Sequence, residues 1–444
     1  MTENKKTKKQ MMLGLAMFGA AGLNFKSWTD PKINFEKYPD FSIDIKAAQL
    51  AEKGKFQFMF FGDFPGTKAF ENADMQTMGV DPLLIASIIS QNTKNIGMAI
   101  TKAAAWSNPY EVARQFKSLD VISKGRVALN AVTGANGASA NAYGIKLPSS
   151  FDRYGKASEF LETVQTLWGT WEEDALKLDK EKKIFADYDK VKSVSIKGQY
   201  VESTGTLPIP PSPQGQPVIF HSGGSANSIA YASKYANAMV GEVWTIEQGK
   251  EIRDALRQGA IDNGRDPEEI KFIAGVMPLI GDSKKEALDR HAQFMDEETF
   301  YQRAAHIGHI LGVQFTMADI EKPIDPKILD KVVVTPYSDP RTENVLKIAR
   351  EGWSLRYVVY HSVIDYHPAA VGTPEDIADH LTEWFEQGGA DGFWVMPDVY
   401  EVDLKRFVDE VVPILQERGI FHKEYEGETL RENFRIPYQY GVRK

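Results

Sequence analysis

The chain has 444 residues, of which 43% are hydrophobic, 11% aromatic and 25% charged. This composition is typical of a globular protein with a large core and excludes disordered or collagen-like chains. The formal net charge of −9 argues against a nucleic-acid partner, and the absence of cysteine excludes disulfides, thiolate nucleophiles, iron–sulfur clusters and cysteine-bound zinc.

The amino-terminal segment has two interpretations. Lysines at positions 5, 6, 8 and 9 precede an apolar run from Met11 to Leu23, a pattern similar to a secretory signal. The run is rich in glycine and alanine, and Met11–Phe18 also fits a buried first strand followed by a glycine-rich loop. We favour the strand. Because no stretch is long and apolar enough to span a bilayer, we expect a cytoplasmic protein with no membrane contact.

Strand and helix signals alternate along the rest of the chain. Short apolar runs predict strands at Met11–Phe18, Phe56–Gly62, Ile96–Thr101, Arg126–Val132, Pro217–His221, Asn237–Val243, Phe272–Ile280 and Gly392–Met396. Helical patterns predict helices at Ser42–Lys53, Asp81–Ser90, Pro109–Ile122, Tyr154–Trp171, Ser225–Tyr235, Thr245–Asn263, Ser283–Met295 and Pro374–Gln387. These eight strand-then-helix units predict an α/β protein with a (β/α)₈ TIM barrel.

Two segments exceed a minimal barrel. The segment 172–216 combines a charged stretch, a hairpin predicted at Val194–Val201 and a proline-rich passage. The segment 297–371 is predicted to be mostly helical with loops. We interpret both as insertions that follow strands and form lids or specificity elements within a single domain spanning residues 1–444.

Polar residues follow several predicted strands, where TIM barrels collect their chemistry. Asp63 comes after the second strand among aromatic residues, so it either accepts hydrogen bonds from a ligand or caps a loop. The third strand ends at Thr101, and the fourth carries Asn130. These positions predict a polar site at the carboxyl ends of the strands.

The fifth strand gives the clearest physical signal. It ends in His221-Ser222-Gly223-Gly224-Ser225 where a helix begins, and free amides, glycines and a hydroxyl at such a point form a phosphate cradle. Ser225 also fits a simple helix cap, and the two roles are compatible. No Gly-x-Gly, Walker loop or His-Glu-x-x-His motif occurs. His306 and His309 lack an acidic third ligand at matching spacing, so we interpret them as surface or packing residues and expect no metal site.

A set of motifs in chain order resembles the nitrilotriacetate monooxygenase branch of the bacterial luciferase-like superfamily. The resemblance covers nearly the whole chain. Its motifs are Asp63-Phe64-Pro65-Gly66, Ile96-Gly97 with Thr101, Asn108-Pro109-Tyr110 with Ala113-Arg114, Ser118-Leu119-Asp120 with Ser123 and Gly125-Arg126, Asn130-Ala131-Val132-Thr133, Arg153-Tyr154, Trp168, Trp171-Glu172-Glu173-Asp174-Ala175, Gly215-Gln216-Pro217-Val218-Ile219, Val371-Gly372-Thr373-Pro374, Asp391-Gly392-Phe393, Tyr425-Glu426-Gly427 and Thr429-Leu430-Arg431.

This resemblance implies a barrel that uses reduced FMN, supplied by a separate NAD(P)H-dependent flavin reductase, and O₂ to oxygenate a small molecule. Relatives act on aminopolycarboxylates, aryl sulfones and thioethers, and their assembly implies a homodimer or homotetramer. By position, the residues that resemble FMN contacts are Asp63, Thr101, Tyr154 and Ser225, then Asn130, with Gly223 and Gly224 as backbone phosphate donors. The catalytic residue stays unknown, with His221 as a candidate.

The oxygenation needs a dry pocket, because water diverts activated oxygen to hydrogen peroxide. Five aromatic residues either line that pocket or pack in the core: Phe60, Phe61, Phe64, Trp106 and Trp244. Alternative functions are a flavin or deazaflavin oxidoreductase that does not incorporate oxygen and a non-catalytic flavin-binding protein.

The sequence also departs from its relatives at three positions. Ser150 stands where many relatives have histidine four residues before the tyrosine, and His221 stands where they often have glutamine. Lys102 replaces a small residue after Thr101. We expect Lys102 to be solvated, whereas an inward orientation would favour an anionic substrate.

Overall fold

The computed structural model describes residues 9–17, 21–35, 41–66 and 80–441. Its strands are β1 (Met12–Met17), β2 (Phe58–Phe61), β3 (Gly97–Ala103), β4 (Val127–Val132), β5 (Leu176–Asp179), β6 (Ile184–Ala186), β7 (Val194–Lys197), β8 (Glu202–Gly205), β9 (Val218–Ser222), β10 (Ala238–Gly241), β11 (Lys271–Ile280), β12 (Ala369–Gly372) and β13 (Gly392–Val395).

The helices are α1 (Ser42–Lys53), α2 (Pro82–Asn92), α3 (Pro109–Ile122), α4 (Gly137–Ala142), α5 (Ser150–Trp168), α6 (Ala226–Tyr235), α7 (Ile246–Asp262), α8 (Lys284–Ala292), α9 (Glu297–Leu311), α10 (Pro326–Leu329), α11 (Thr342–Arg350), α12 (Leu355–Tyr360), α13 (Pro374–Glu386), α14 (Val412–Glu417) and α15 (Leu430–Asn433). Two π-helical turns, Tyr400–Leu404 and Phe407–Val411, precede α14. Among the helices in these ranges, none has the length and apolarity to cross a bilayer.

Eight of the strands form a closed parallel ring. The order around it is β1, β2, β3, β4, β9, β10, β11 and β13, and β13 pairs with β1 to close it. The predicted (β/α)₈ barrel is therefore confirmed, with strand ends that differ from the prediction by at most two residues. The apolar run near the amino terminus supplies β1, as the strand interpretation predicts, whereas Phe18 lies outside the described residues.

The amino-terminal end of the barrel is filled by the chain's own carboxy-terminal segment. The Phe434 ring lies 5.7 Å from Phe58 and 5.5 Å from Phe220 between ring centroids. Leu430 of α15 packs so closely on Gly97 that a side chain at position 97 would overlap it. Because apolar side chains close this end, a ligand has room only at the carboxyl ends of the strands.

The first insertion does not follow a strand, and the prediction that it does is wrong. It leaves the end of α5, where the chain turns back toward β9, and it holds two hairpins, β5–β6 and β7–β8. The predicted hairpin Val194–Val201 covers β7 and the turn, whereas its second strand is Glu202–Gly205. The amides of residues 199–201 donate to the Glu159 carboxylate over 2.7–3.0 Å, so this hairpin packs along the outer face of α5.

The second insertion follows α8, the helix after β11. It encloses a hydrophobic cluster of its own, which includes Ile307, Leu311, Val345 and Val358. The chain then returns to the sheet as β12, which pairs with the second half of β11. The segment is therefore a helical unit with its own core, mounted on one barrel strand.

A buried serine–histidine–aspartate network joins the second insertion to the barrel. His291 Nδ1 lies 2.7 Å from Asp398 Oδ2, and His291 Nε2 lies 2.7 Å from Ser362 Oγ. The connectivity matches a hydrolase triad, but Ser362 is 0% exposed, so it has no access to a substrate. Burial lowers the pKa of His291, but the charge and hydrogen bond of Asp398 outweigh that effect, and the pKa is raised overall.

The raised pKa of His291 predicts a pH-dependent contribution to stability. Because folding strengthens proton binding, this contribution is complete below the ordinary pKa of 6.5 and is lost as the pH rises through the folded pKa. Urea denaturation of wild type and His291→Gln at several pH values between 5.5 and 8.5 should give a difference in unfolding free energy that is largest at pH 5.5. A difference that grows toward pH 8.5 would contradict the assignment.

Candidate active site

Three polar side chains on neighbouring strands form a hydrogen-bonded chain inside the barrel. Thr101 and Asn130 are direct partners in the β3–β4 register, and Asn130 Nδ2 donates to Thr101 Oγ1 over 2.8 Å. Ser222 Oγ on β9 donates to Asn130 Oδ1 over 3.2 Å. Thr101 and Asn130 are buried, so this chain provides a fixed polar edge at the carboxyl ends of three strands.

Asp63 follows β2 on the same rim and is half-buried. Lys102 Nζ lies 4.0 Å from Asp63 Oδ2 and 3.1 Å from Asp81 Oδ2. Burial raises the pKa of Asp63, the Lys102 charge opposes this, and the Asp81 charge raises it further. With a side chain only 12% exposed, Lys102 is not solvated as expected, because two carboxylates hold it. Its charge is thereby offset, which weakens the case for an anionic substrate on this side.

A second chain of hydrogen bonds lies between β9 and α6. His221 Nδ1 lies 2.8 Å from the carbonyl oxygen of Ala131, and His221 Nε2 lies 3.3 Å from Ser228 Oγ. Ser228 Oγ in turn lies 2.8 Å from the Tyr154 hydroxyl on α5. The imidazole is buried behind the strand against the Tyr231 ring, at 4.8 Å between centroids. His221 thus supports Ser228 and Tyr154 from the helix side of β9.

The chemistry of these groups fixes the direction of the hydrogen bonds. Burial lowers the pKa of His221 to about 4, with the Ala131 bond opposing, so the ring is neutral near pH 7 and has one N–H. Since a carbonyl only accepts, that N–H is at Nδ1, and Nε2 accepts from Ser228. Ser228 can then only accept from Tyr154. The Tyr154 proton therefore points at Ser228 Oγ in this structure, and it reaches a ligand acceptor only by turning away from Ser228.

The sequence predicts a phosphate cradle at the start of α6. Ser225 caps the helix, and its Oγ accepts from the Ser228 amide over 3.2 Å. Within the described residues, no protein acceptor is bonded to the exposed amides of Gly224, Ser225, Ala226 and Asn227. Unbonded amides at a helix start bind anions well, because the helix dipole adds to their own.

Gly223 does not offer a free amide at the helix start, although the sequence predicts that it is a phosphate donor. Its amide donates to the Val240 carbonyl over 3.1 Å, so it is used inside the barrel and is not free for a phosphate. Its φ of 150° is in the region that favours glycine, and a side chain there would overlap Ser228 Oγ. Gly223 therefore makes room for Ser228, and of the two glycines only Gly224 keeps an amide without a protein acceptor among the described residues.

The five aromatic residues predicted to line a pocket or pack in the core lie in different parts of the barrel. Phe60 points into the barrel, 4.8 Å from Trp394 between centroids, whereas Phe61 packs outward between strands and helices. Phe64 and Trp106 lie beyond the strand ends, and Trp106 stacks on Tyr143 at 5.7 Å. Trp244 lines a separate cleft of about 870 Å³ between α11 and α13. Alternation along β2 explains why its neighbouring phenylalanines face opposite ways.

The remaining sequence candidates have simple surroundings. His306 Nε2 lies 3.3 Å from Asp339 Oδ2 and also contacts Arg341, and no group of three potential metal ligands occurs in the part of the chain that the structure describes. Ser150 is exposed at the start of α5, one turn before Tyr154 on the same helix face.

Sequence reasoning missed two polar residues, Ser222 and Ser228, as members of these chains. Their positions beside the glycines were visible. Their partners were not, because those partners lie on β4 and α5, far away in sequence.

Comparison with known proteins agrees with this fold. The family model for luciferase-like monooxygenases matches residues 36–392, so the chain belongs to the luciferase-like monooxygenase family and is an enzyme. The N-acetyl-S-(2-succino)cysteine monooxygenase of Bacillus subtilis (strain 168) is 34% identical over 431 residues, which cover 96% of this chain and 97% of the relative. The nitrilotriacetate monooxygenase component A of Aminobacter aminovorans is 30% identical over 96% of each chain. The predicted family is thus confirmed.

Solved structures are similar over the same length. EDTA monooxygenase from Chelativorans sp. BNC1 superposes with a TM-score of 0.82 at 28% identity, covering 97% of this chain and 99% of its own. A riboflavin lyase, solved with modified FMN and riboflavin, gives a TM-score of 0.75 at 28% identity over 96% of each chain.

The depressed pKa of His221 predicts acid sensitivity. Because the unfolded chain takes up a proton at the ordinary pKa of 6.5 and the folded chain only near 4, stability should fall across this range by about 3 kcal/mol. His221→Gln cannot titrate and should lack this component. Urea denaturation at pH 7, 6, 5 and 4.5 should show the free-energy difference between wild type and variant shifting in favour of the variant as the pH falls. A difference independent of pH would refute this prediction.

Proposed function

We propose that this protein is a two-component FMN-dependent monooxygenase. It takes reduced FMN from a separate NAD(P)H-dependent flavin reductase and uses O₂ to oxygenate a small organic substrate of the amino-carboxylate, thioether or sulfone class. Bound reduced FMN supplies the electrons with which one atom of O₂ enters the substrate and the other leaves as water. The observation that carries the proposal is the cradle of unbonded amides at α6 beside the Tyr154 hydroxyl.

The mouth of the barrel is the rim formed by the carboxyl ends of the strands, and its residues suit the parts of FMN. The amides from Gly224 to Asn227 suit a phosphate dianion, and the Tyr154 hydroxyl becomes a further donor when its proton turns from Ser228 to the phosphate. The chain of Thr101, Asn130 and Ser222 offers donors and acceptors for the polar edge of the ring system, with Asp63 beside it. In this assignment His221 is a positioning residue for the phosphate site and not the catalytic group.

Water exclusion is the second requirement of the proposed reaction. Phe60, Phe220 and Trp394 form an apolar floor below the mouth, and the chain's own Phe434 closes the far end. A site built on that floor keeps bulk water from the reacting oxygen. Further support comes from the relatives, one of which is named as component A of an oxygenase and another of which was solved with modified FMN.

Assembly and location complete the proposal. We propose a cytoplasmic homodimer or homotetramer. Leu84 and Ile88 lie one turn apart on α2 and are 61% and 39% exposed, which gives that helix an apolar face suited to a second copy.

The oxygenation itself can be tested directly. The protein is mixed with FMN, NADH, a flavin reductase and ¹⁸O₂, and offered N-acetyl-S-(2-succino)cysteine, a sulfone and nitrilotriacetate. We expect one ¹⁸O atom in the product of at least one of them by mass spectrometry, and no product without O₂. Equal turnover without O₂ would identify the non-oxygenating oxidoreductase, and flavin binding without turnover would identify a flavin-binding protein.

Tyr154→Phe tests the phosphate site separately from catalysis. Loss of a hydrogen bond to a charged group costs about 1.5–3 kcal/mol, so the Kd of reduced FMN should rise roughly tenfold or more. The Kd of reduced riboflavin, which has no phosphate, should stay the same. Anaerobic fluorescence titration measures both values. Tyr337→Phe is the matched control, because Tyr337 is 98% exposed. Equal weakening of both flavins would exclude Tyr154 from the phosphate site.

A further inference from the structure

His367 is a polar side chain inside the barrel that no established contact explains. It lies just before β12, and its ring fills the space over Gly275 of β11, where any side chain would overlap it. Its ring centroid lies 5.3 Å from that of Trp394, with the two planes nearly perpendicular. Since Gly275 and Trp394 are direct partners in the β11–β13 register, the imidazole projects from the wall of the barrel onto the floor of the mouth.

Neither ring nitrogen of His367 has a hydrogen-bond partner within the described residues. The side chain is 0% exposed, so bulk solvent does not reach it. Burial lowers its pKa to about 3, and the ring is therefore neutral in the working range, with one N–H to donate and one lone pair. A buried unsatisfied donor is costly to keep, and such a group at a binding site is typical of a residue whose partner is the ligand.

One side chain covers His367 from the rim. The Tyr366 ring meets the imidazole edge-on at 4.4 Å and is itself 53% exposed. Its hydroxyl bonds to the Glu242 carboxylate, directly after β10.

We propose that His367 binds substrate, donating its ring N–H to an oxygen acceptor such as a sulfonyl, sulfoxide or carboxylate oxygen. This proposal rests on the proposed function in one respect, because it takes the mouth of the barrel as the active site. The apolar surroundings of Trp394 hold the body of the substrate, and the imidazole fixes its orientation through one hydrogen bond. A neutral donor suits uncharged sulfones and thioether oxidation products as well as carboxylates.

Two probes that differ only in oxygen test this assignment. Dimethyl sulfone has two acceptor oxygens, and dimethyl sulfide has none. Ligand-observed NMR titrations of the FMN-loaded protein should give a sulfone Kd at least fivefold higher in His367→Phe than in wild type, with the sulfide Kd changed less than twofold. His367→Gln keeps a donor and should restore the sulfone Kd to within threefold. His367→Leu replaces the phenylalanine variant if that variant does not fold.

Three results would overturn the assignment. An unchanged sulfone Kd in the apolar variants would show that His367 makes no hydrogen bond to the sulfone. Equal weakening of sulfone and sulfide binding would show that the variants lose packing alone. A tenfold loss of FMN affinity in His367→Phe, without a sulfone effect, makes the flavin its partner. If wild type does not bind FMN, the proposed function fails, whereas the sulfone comparison on the flavin-free protein still tests His367.

Discussion

Closure of a parallel sheet into a ring places every strand's carboxyl end on one rim, and the site depends on that constraint. Thr101, Asn130 and Ser222 come from three strands, yet their side chains touch because β3, β4 and β9 are neighbours in register. The opposite rim is filled by Leu430 and Phe434. One end of the barrel is thus committed to packing, and the other is left for binding.

The neutral imidazole of His221, behind the sheet, sets the directions of the hydrogen bonds around it. His221 bonds a backbone carbonyl of β4 and so must accept from Ser228, and Ser228 in turn accepts from Tyr154, the outermost hydroxyl of the chain. Gly223 is needed because any side chain would displace Ser228. The residues of this loop therefore act together. Gly223 makes space for Ser228, His221 orients the Ser228 hydroxyl, and the start of α6 presents its amides.

Many motifs that carry the family resemblance are structural. Asn108 caps α3, and Thr373 with Asp376 forms a capping box at the start of α13. The buried Arg126 guanidinium donates to the carbonyls of Ser90, Ile96 and Ser123 and to Thr93, which holds the turn before β4. Such residues identify the family because the fold needs them, and they report little about the substrate. The substrate-facing residue proposed here, His367, belongs to none of those motifs.

The sequence by itself determined the eight strands, the order of the strand–helix units and the helix start at Ser225, because apolar periodicity and capping are local properties. Only the tertiary structure decided which polar groups meet. It paired Lys102 with two acids, used the Gly223 amide within the sheet, turned Phe61 outward and put the first insertion beside α5. Each of these outcomes depends on partners distant in sequence, and hydrogen bonds and ion pairs between distant segments have no local pattern from which to be predicted.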